Sequence, residues 1–140
     1  MARPDEPTPP PWPASAGPFR IFSVTEAREL LPQVREYVTE LVAVRADVAE
    51  LAVNLDRGTD SARGGLAEHK ALTARISELQ SWFLETGLEV KGLAPLLLDF
   101  PAILDGVSVR LCWLEGESEL AWYHRTDLGF AGRRELPPPA

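Results

Sequence analysis

The chain has 140 residues, 45% of them apolar, a single cysteine and a formal net charge of −7. This is the size of one domain with material for a modest core. It excludes an internal disulfide, and no apolar run approaches the ~18 residues of a membrane-crossing helix. An acidic chain is repelled by phosphate backbones, so nucleic acid is not an expected partner. With no signal-peptide pattern at its start and one cysteine, the expected compartment is the cytoplasm.

The opening "MARPDEPTPPPWPASAGP", residues 1–18, is crowded with proline. Proline blocks helix and sheet hydrogen bonding, so a disordered or polyproline-like tail is expected there, and again over 135–140. One α+β domain is expected over 19–134. "FSVTEARELLP" opens a helix: Ser23 is placed to cap it and Glu26, three residues on, to complete a capping box. Pro32 removes a helical hydrogen bond, which predicts a short helix over 24–31 and a restart into a long one running to about residue 56. Val34, Leu41, Val48 and Leu55 recur every seven residues, with Tyr37, Val44 and Leu51 three positions behind the first three of them. A glycine-rich break at 56–65 follows. A second amphipathic helix over 66–86 carries Leu72, Ile76, Leu79 and Phe83, and Gly87 is its natural stop. The two make an antiparallel helical hairpin. His69 falls on its apolar seam and reads as a packing residue rather than a metal ligand.

Beyond Gly87, alternation replaces the helical period. "PLLLDF", "VSVRLCWL" and "ELAWYHR" read as three strands of an antiparallel meander, with "IFS" or the region near Phe130 as an optional fourth. "DG" at 105–106 and "GE" at 116–117 read as two-residue hairpin turns. The first turn sets Asp99 opposite Cys112. The second sets Trp113 opposite Leu120, Leu111 opposite Trp122 and Val109 opposite His124. Directly opposed residues share a face. Val107, Val109, Leu111, Trp113, Leu120, Trp122 and His124 should therefore face the helices. Asp99, Arg110, Cys112, Glu119, Ala121, Tyr123 and Arg125 should form the open polar face. In this register Cys112 and His124 lie on opposite faces, which argues against a Cys–His metal site or thiolate–imidazole pair. A carboxylate-rich metal site on His124 would draw on Asp99, Glu115 or Glu117. The glycines and arginines of "LGFAGRR" form a weak anion-binding pattern.

"LLDFPAILDG", "LCWLEGESELAWYH" and "DLGFAGRR", following "FSVTEARELLP", resemble a family of small bacterial proteins of unknown function, DUF2203, over roughly residues 20–134. The family pattern falls on Asp99-Phe100-Pro101, Asp105-Gly106, Leu111-Cys112-Trp113, Gly116-Glu117, His124 and Gly129-Phe130-Ala131-Gly132-Arg133. Leu96 replaces a customary glycine, and Trp122-Tyr123 reverses the customary order of the aromatic pair. The resemblance implies no activity, but it draws attention to the meander.

The fold class predicted is α+β: a long antiparallel helical hairpin packed on a small three- to four-stranded antiparallel meander. The function read from the sequence is a non-catalytic binding or interaction module rather than an enzyme, with self-association through residues 34–55. The alternative is a metal- or anion-binding protein, enzyme or not, with its site on the meander. Candidate binding residues are Asp99, Arg110, Cys112, Glu117, His124 and Arg133; the ligand, any metal and any cofactor stay open.

Overall fold

A computed structural model describes residues 20–59 and 64–138. The proline-rich opening and the centre of the glycine-rich break lie outside the described residues, and so do the readings made of them.

The first helix, α1, runs unbroken from Val24 to Arg57. Its start is the predicted capping box: the Glu26 N–H donates to Ser23 Oγ (3.0 Å), and the Ser23 N–H to Glu26 Oε1 (3.1 Å). The expected restart at Pro32 does not occur. Pro32 lies within the helix on its exposed side, between Leu31 and Val34, which are buried. The carbonyl it leaves unpaired is not sealed in the core, and burial of the flanking residues holds the helix together. The second helix, α2, spans Leu66–Glu85. It ends at Gly87, whose φ of 100° lets the Gly87 and Leu88 N–H groups close back on Leu84 and Phe83. A Cβ there would meet Arg20 Cβ at 2.8 Å.

The sheet has five antiparallel strands in sequential order, rather than three or four: β1 Glu89–Leu93, β2 Leu96–Leu104, β3 Val107–Leu114, β4 Trp122–Arg125 and β5 Arg134–Glu135. The fourth element expected from "IFS" is a single parallel bridge, Phe22 to Ala102. The chain remains in the domain past residue 134: Leu136 is buried, and its N–H donates to the Ala121 carbonyl. Pro101 sits inside β2 without interrupting it. Its carbonyl accepts from Phe22 N–H (2.7 Å), so its missing N–H lies on the same outer edge, past Glu89, where β1 begins.

Leu98, Phe100, Ala102, Val109, Leu111 and Trp113 line one sheet face. They pack on Ala27, Leu31, Val34, Val38 and Leu41 of α1 and on Leu79 and Phe83 of α2. The helical stripe is therefore consumed mainly within the chain. Val107 and Leu55, both placed on apolar stripes by their spacing, are exposed. No described helix is long and apolar enough to cross a membrane.

The hairpins settle the site. Asp105 and Gly106 both have positive φ (50° and 79°), as a type I′ turn requires, and Asp99 pairs with Cys112 as expected. The second hairpin differs. The Glu117 N–H donates to the Leu114 carbonyl, making a turn with Gly116 (φ 99°) in its third position. The chain then loops, and pairing resumes with Cys112 opposite Trp122, Leu111 opposite Tyr123, Arg110 opposite His124 and Val109 opposite Arg125. This is one residue off the two-residue-loop register, and a one-residue slip exchanges the faces of a strand. Tyr123 turns to the helices, and Trp122 and His124 turn away from them. Leu120 reaches the helical core from the loop.

Candidate functional site

Cys112 and His124 consequently share a face with Asp99, contrary to the split predicted from the turn. Ligand atoms of Asp99, Cys112 and His124 all lie within 4.8 Å of one another, on three neighbouring strands. Nor is this face open. The chain after β4 folds back over it through a 3-10 turn at Phe130–Gly132 and then β5. Arg133 stacks between Trp122 and Phe130, its guanidinium carbon 5.1 and 4.7 Å from the ring centroids. Its Nη2 donates to the Cys112 carbonyl (3.1 Å) and to Glu117 Oε1 (2.6 Å). Under this cover Cys112 is 0% exposed, Asp99 2% and His124 6%.

The protons at the cluster follow from its partners. His124 Nδ1 lies 2.8 Å from the Arg125 carbonyl oxygen. A carbonyl only accepts, so Nδ1 carries the hydrogen. In the neutral ring Nε2 is then a lone pair, and it faces Asp99 Oδ2 at 3.3 Å. Asp99 Oδ1 is buried without a hydrogen-bond partner, and so is Arg133 Nε. Burial is what pushes the Asp99 carboxyl above its ordinary range; a protonated His124 would pull it back, and so do the Cys112 thiol and the charge of Lys91. The Cys112 thiol is pushed up to about 12, first by burial and then by the charge of Asp99, with Arg133 pulling the other way. A free Cys112 is therefore a thiol at neutral pH, shielded from solvent and unsuited to act as a nucleophile.

The other predicted site residues divide. Arg110 stays on this face: its Nε donates to Glu89 Oε1 (2.8 Å), and its Nη1 to Thr126 Oγ1 (3.0 Å) and the Val109 carbonyl (3.2 Å). Glu117 is occupied in the turn, accepting from the Leu114 N–H (2.6 Å) as well as from Arg133. Glu115 forms a two-point ion pair with Arg45 of α1 (2.7 and 2.8 Å) and accepts from the Leu96 N–H (2.9 Å). Of the carboxylates weighed for His124, Asp99 alone reaches it. His69 remains half-buried on α2, outside the cluster. The "LGFAGRR" segment serves as cover rather than as a phosphate loop.

A cleft of about 250 Å³ opens onto the cluster, lined by Asp99 and His124 at its base, Lys91, Arg110 and Thr126 at its side, and Leu97 and Leu128–Phe130. Lys91 and Glu89 escaped the sequence reading because β1 did. "EVKGL" is short and carries Gly92 beside an irregularity in pairing between Val90 and Gly92. The usable signal was its position immediately after the Gly87 stop.

The family described as an uncharacterized conserved protein (DUF2203) matches residues 20–136. No curated protein and no solved structure matches the chain. The match spans both helices, the whole sheet and the covered cluster, and the chain belongs to the DUF2203 family.

Proposed function

We propose that this protein binds a divalent transition metal, zinc before others, through Asp99, Cys112 and His124. The observation that carries the reading is the His124–Asp99 contact. Two acceptor atoms face each other in a buried site, and only a proton or a cation between them makes that favourable. A proton there gives a charge-assisted hydrogen bond, and a metal ion gives a pair of ligands. Two ligands each about 2.0–2.1 Å from a tetrahedral zinc stand about 3.3–3.4 Å apart, against the 3.3 Å found. The Cys112 sulfur supplies the soft donor that separates a zinc-type site from the all-oxygen sites of magnesium and calcium. The unpartnered Asp99 Oδ1 and Arg133 Nε fit the same reading: a cation engages the carboxylate, and a thiolate is the acceptor that Arg133 Nε lacks. The hydrogen bond from His124 Nδ1–H to a carbonyl is the usual outer support that aims a ligating imidazole.

Three protein ligands beneath a cleft leave the fourth position to an exchangeable group, the arrangement of working rather than structural zinc sites. The protein is thus read as a binding module whose metal is its functional part. The test is elemental analysis of protein purified without a histidine tag. About one zinc per chain, lost in both His124→Ala and Asp99→Asn, is the expected result. Wild-type chain that takes up no zinc, cobalt or nickel at neutral pH overturns the proposal.

A further inference from the structure

The cleft beside the cluster has its own chemistry. Lys91 and Arg110 both point their charge at one carboxylate: Glu89 Oε1 lies 3.3 Å from Lys91 Nζ and 2.8 Å from Arg110 Nε. Two cations share one anion, so the pair carries a surplus positive charge. Arg110 sits directly opposite His124 in the β3–β4 ladder, on the same face. Its side chain is largely buried, and its Nη2 has no hydrogen-bond partner among the described residues. A guanidinium held by Glu89 and Thr126, with donors to spare at the rim of a cleft, is preorganised for an oxyanion.

The charge inside the cluster agrees. A divalent ion with the Asp99 carboxylate and the Cys112 thiolate is neutral, and Arg133 is balanced by Glu117 at 2.6 Å. The surplus positive charge of Lys91 and Arg110 is what remains. The rest of the lining, Leu97, Leu128 and Phe130, is apolar. The cleft's roughly 250 Å³ lies below the ~300–1,000 Å³ of pockets for drug-sized ligands.

We infer that the fourth position of the metal is taken by a small oxyanion, a carboxylate or phosphate bearing a short apolar group, which Lys91 and Arg110 hold in the cleft. This rests on the metal-binding reading: the ion supplies one contact, the two side chains the others, and the apolar wall receives the rest of the molecule. The oxyanion class follows from the surplus charge, and the small size from the volume.

The experiment uses the full chain loaded with Co²⁺ in place of zinc. A thiolate-to-cobalt charge-transfer band reports occupancy, and the visible d–d bands report the coordination sphere. Acetate and inorganic phosphate are the probes. Saturable displacement of the d–d bands by either one is expected, with phosphate or acetate as the tighter ligand telling which oxyanion geometry the cleft prefers. Lys91→Met and Arg110→Met should show the same charge-transfer band and need at least about tenfold more anion. Lys91 is half-exposed, so its replacement guards against a folding defect in the Arg110 variant. Wild-type d–d bands that do not move with either anion, or variants that respond at the wild-type concentration, overturn the inference while leaving the metal site intact. Absence of the charge-transfer band in the wild type overturns the metal site and the inference with it.

Discussion

Replacing Asp99 by asparagine separates the metal's role from that of the fold. The change keeps the side chain's shape. It substitutes an amide for a carboxylate that is 2% exposed and whose Oδ1 has no partner. With Nδ1–H of His124 committed to the Arg125 carbonyl, the new amide N–H can donate to the Nε2 lone pair that Asp99 now opposes. One neutral hydrogen bond is worth about 1 kcal/mol net, and relieving a buried, partly unsatisfied charge adds to it; the weakened interactions with Cys112 and Lys91 subtract. Metal-free Asp99→Asn should therefore be more stable than metal-free wild type by about 1 kcal/mol, a rise in Tm of roughly 3–6 °C for a domain of this size. Added zinc should reverse the order. A ligand at a hundred times its Kd stabilises the folded state by about 2.7 kcal/mol, and the variant, lacking one of three ligands, should gain little of that. Thermal melts in chelator and in excess zinc, read by circular dichroism, measure both limbs. A variant less stable than wild type in chelator, or one that zinc stabilises as much as wild type, would refute the reasoning about the Asp99–His124 contact.

Other parts of the structure make separate predictions. The Arg45 side chain, and after it the Leu96 N–H, hold the Glu115 carboxyl below its ordinary value of 4.5, so this pair contributes stability that is present above pH 4.5 and lost as pH falls below it. Glu115→Gln should cost about 1–2 kcal/mol at pH 7 and flatten the acid limb of the stability curve; an unchanged acid limb in urea titrations would show the pair to be idle. Pro32→Ala should restore a hydrogen bond to the Arg28 carbonyl and stabilise the chain by about 1–3 kcal/mol, and a lower urea midpoint would mean that the proline shapes α1 to its sheet. Association through the helices is a further proposal, favoured by the exposure of Val53, Leu55 and Leu66 toward the loop end of the hairpin. Light scattering at micromolar concentration should give twice the chain mass, and a monomer mass would rule it out.

The legible parts of the fold were those written in local chemistry. Ser23 and Glu26 announce the start of α1, Gly87 the end of α2, and Asp105-Gly106 a turn that fixes the β2–β3 register, so the pairing of Asp99 with Cys112 could be read directly. The β3–β4 hairpin could not. Its turn depends on the Glu117 side chain accepting from the Leu114 N–H, on the Trp113 indole N–H donating to the Glu117 carbonyl, and on Arg133, just ahead of β5, holding Glu117. The first two are local and the third is a tertiary contact, but all three depend on side-chain placement that the turn dipeptide does not announce, and together they lengthen the loop by enough to reverse β4. The cost of that single residue was the site itself: Cys112 and His124, read as divided by the sheet, are neighbours. Pro32 misled in the opposite way. Its local effect is real, but buried neighbours on both sides along α1 outweigh it. The cover over the cluster was hidden because "GFAGRR" has the composition of an exposed turn, and only the stacking of Arg133 on Trp122 and Phe130 makes it a lid of the core.

X-ray absorption at the zinc K-edge of the untagged, zinc-loaded chain tests the central claim most directly. The account predicts one sulfur near 2.3 Å and two or three nitrogen or oxygen neighbours near 2.0–2.1 Å, with imidazole scattering from a single histidine. A zinc shell without sulfur, or with two or more imidazoles, would place the metal elsewhere on the chain and contradict it.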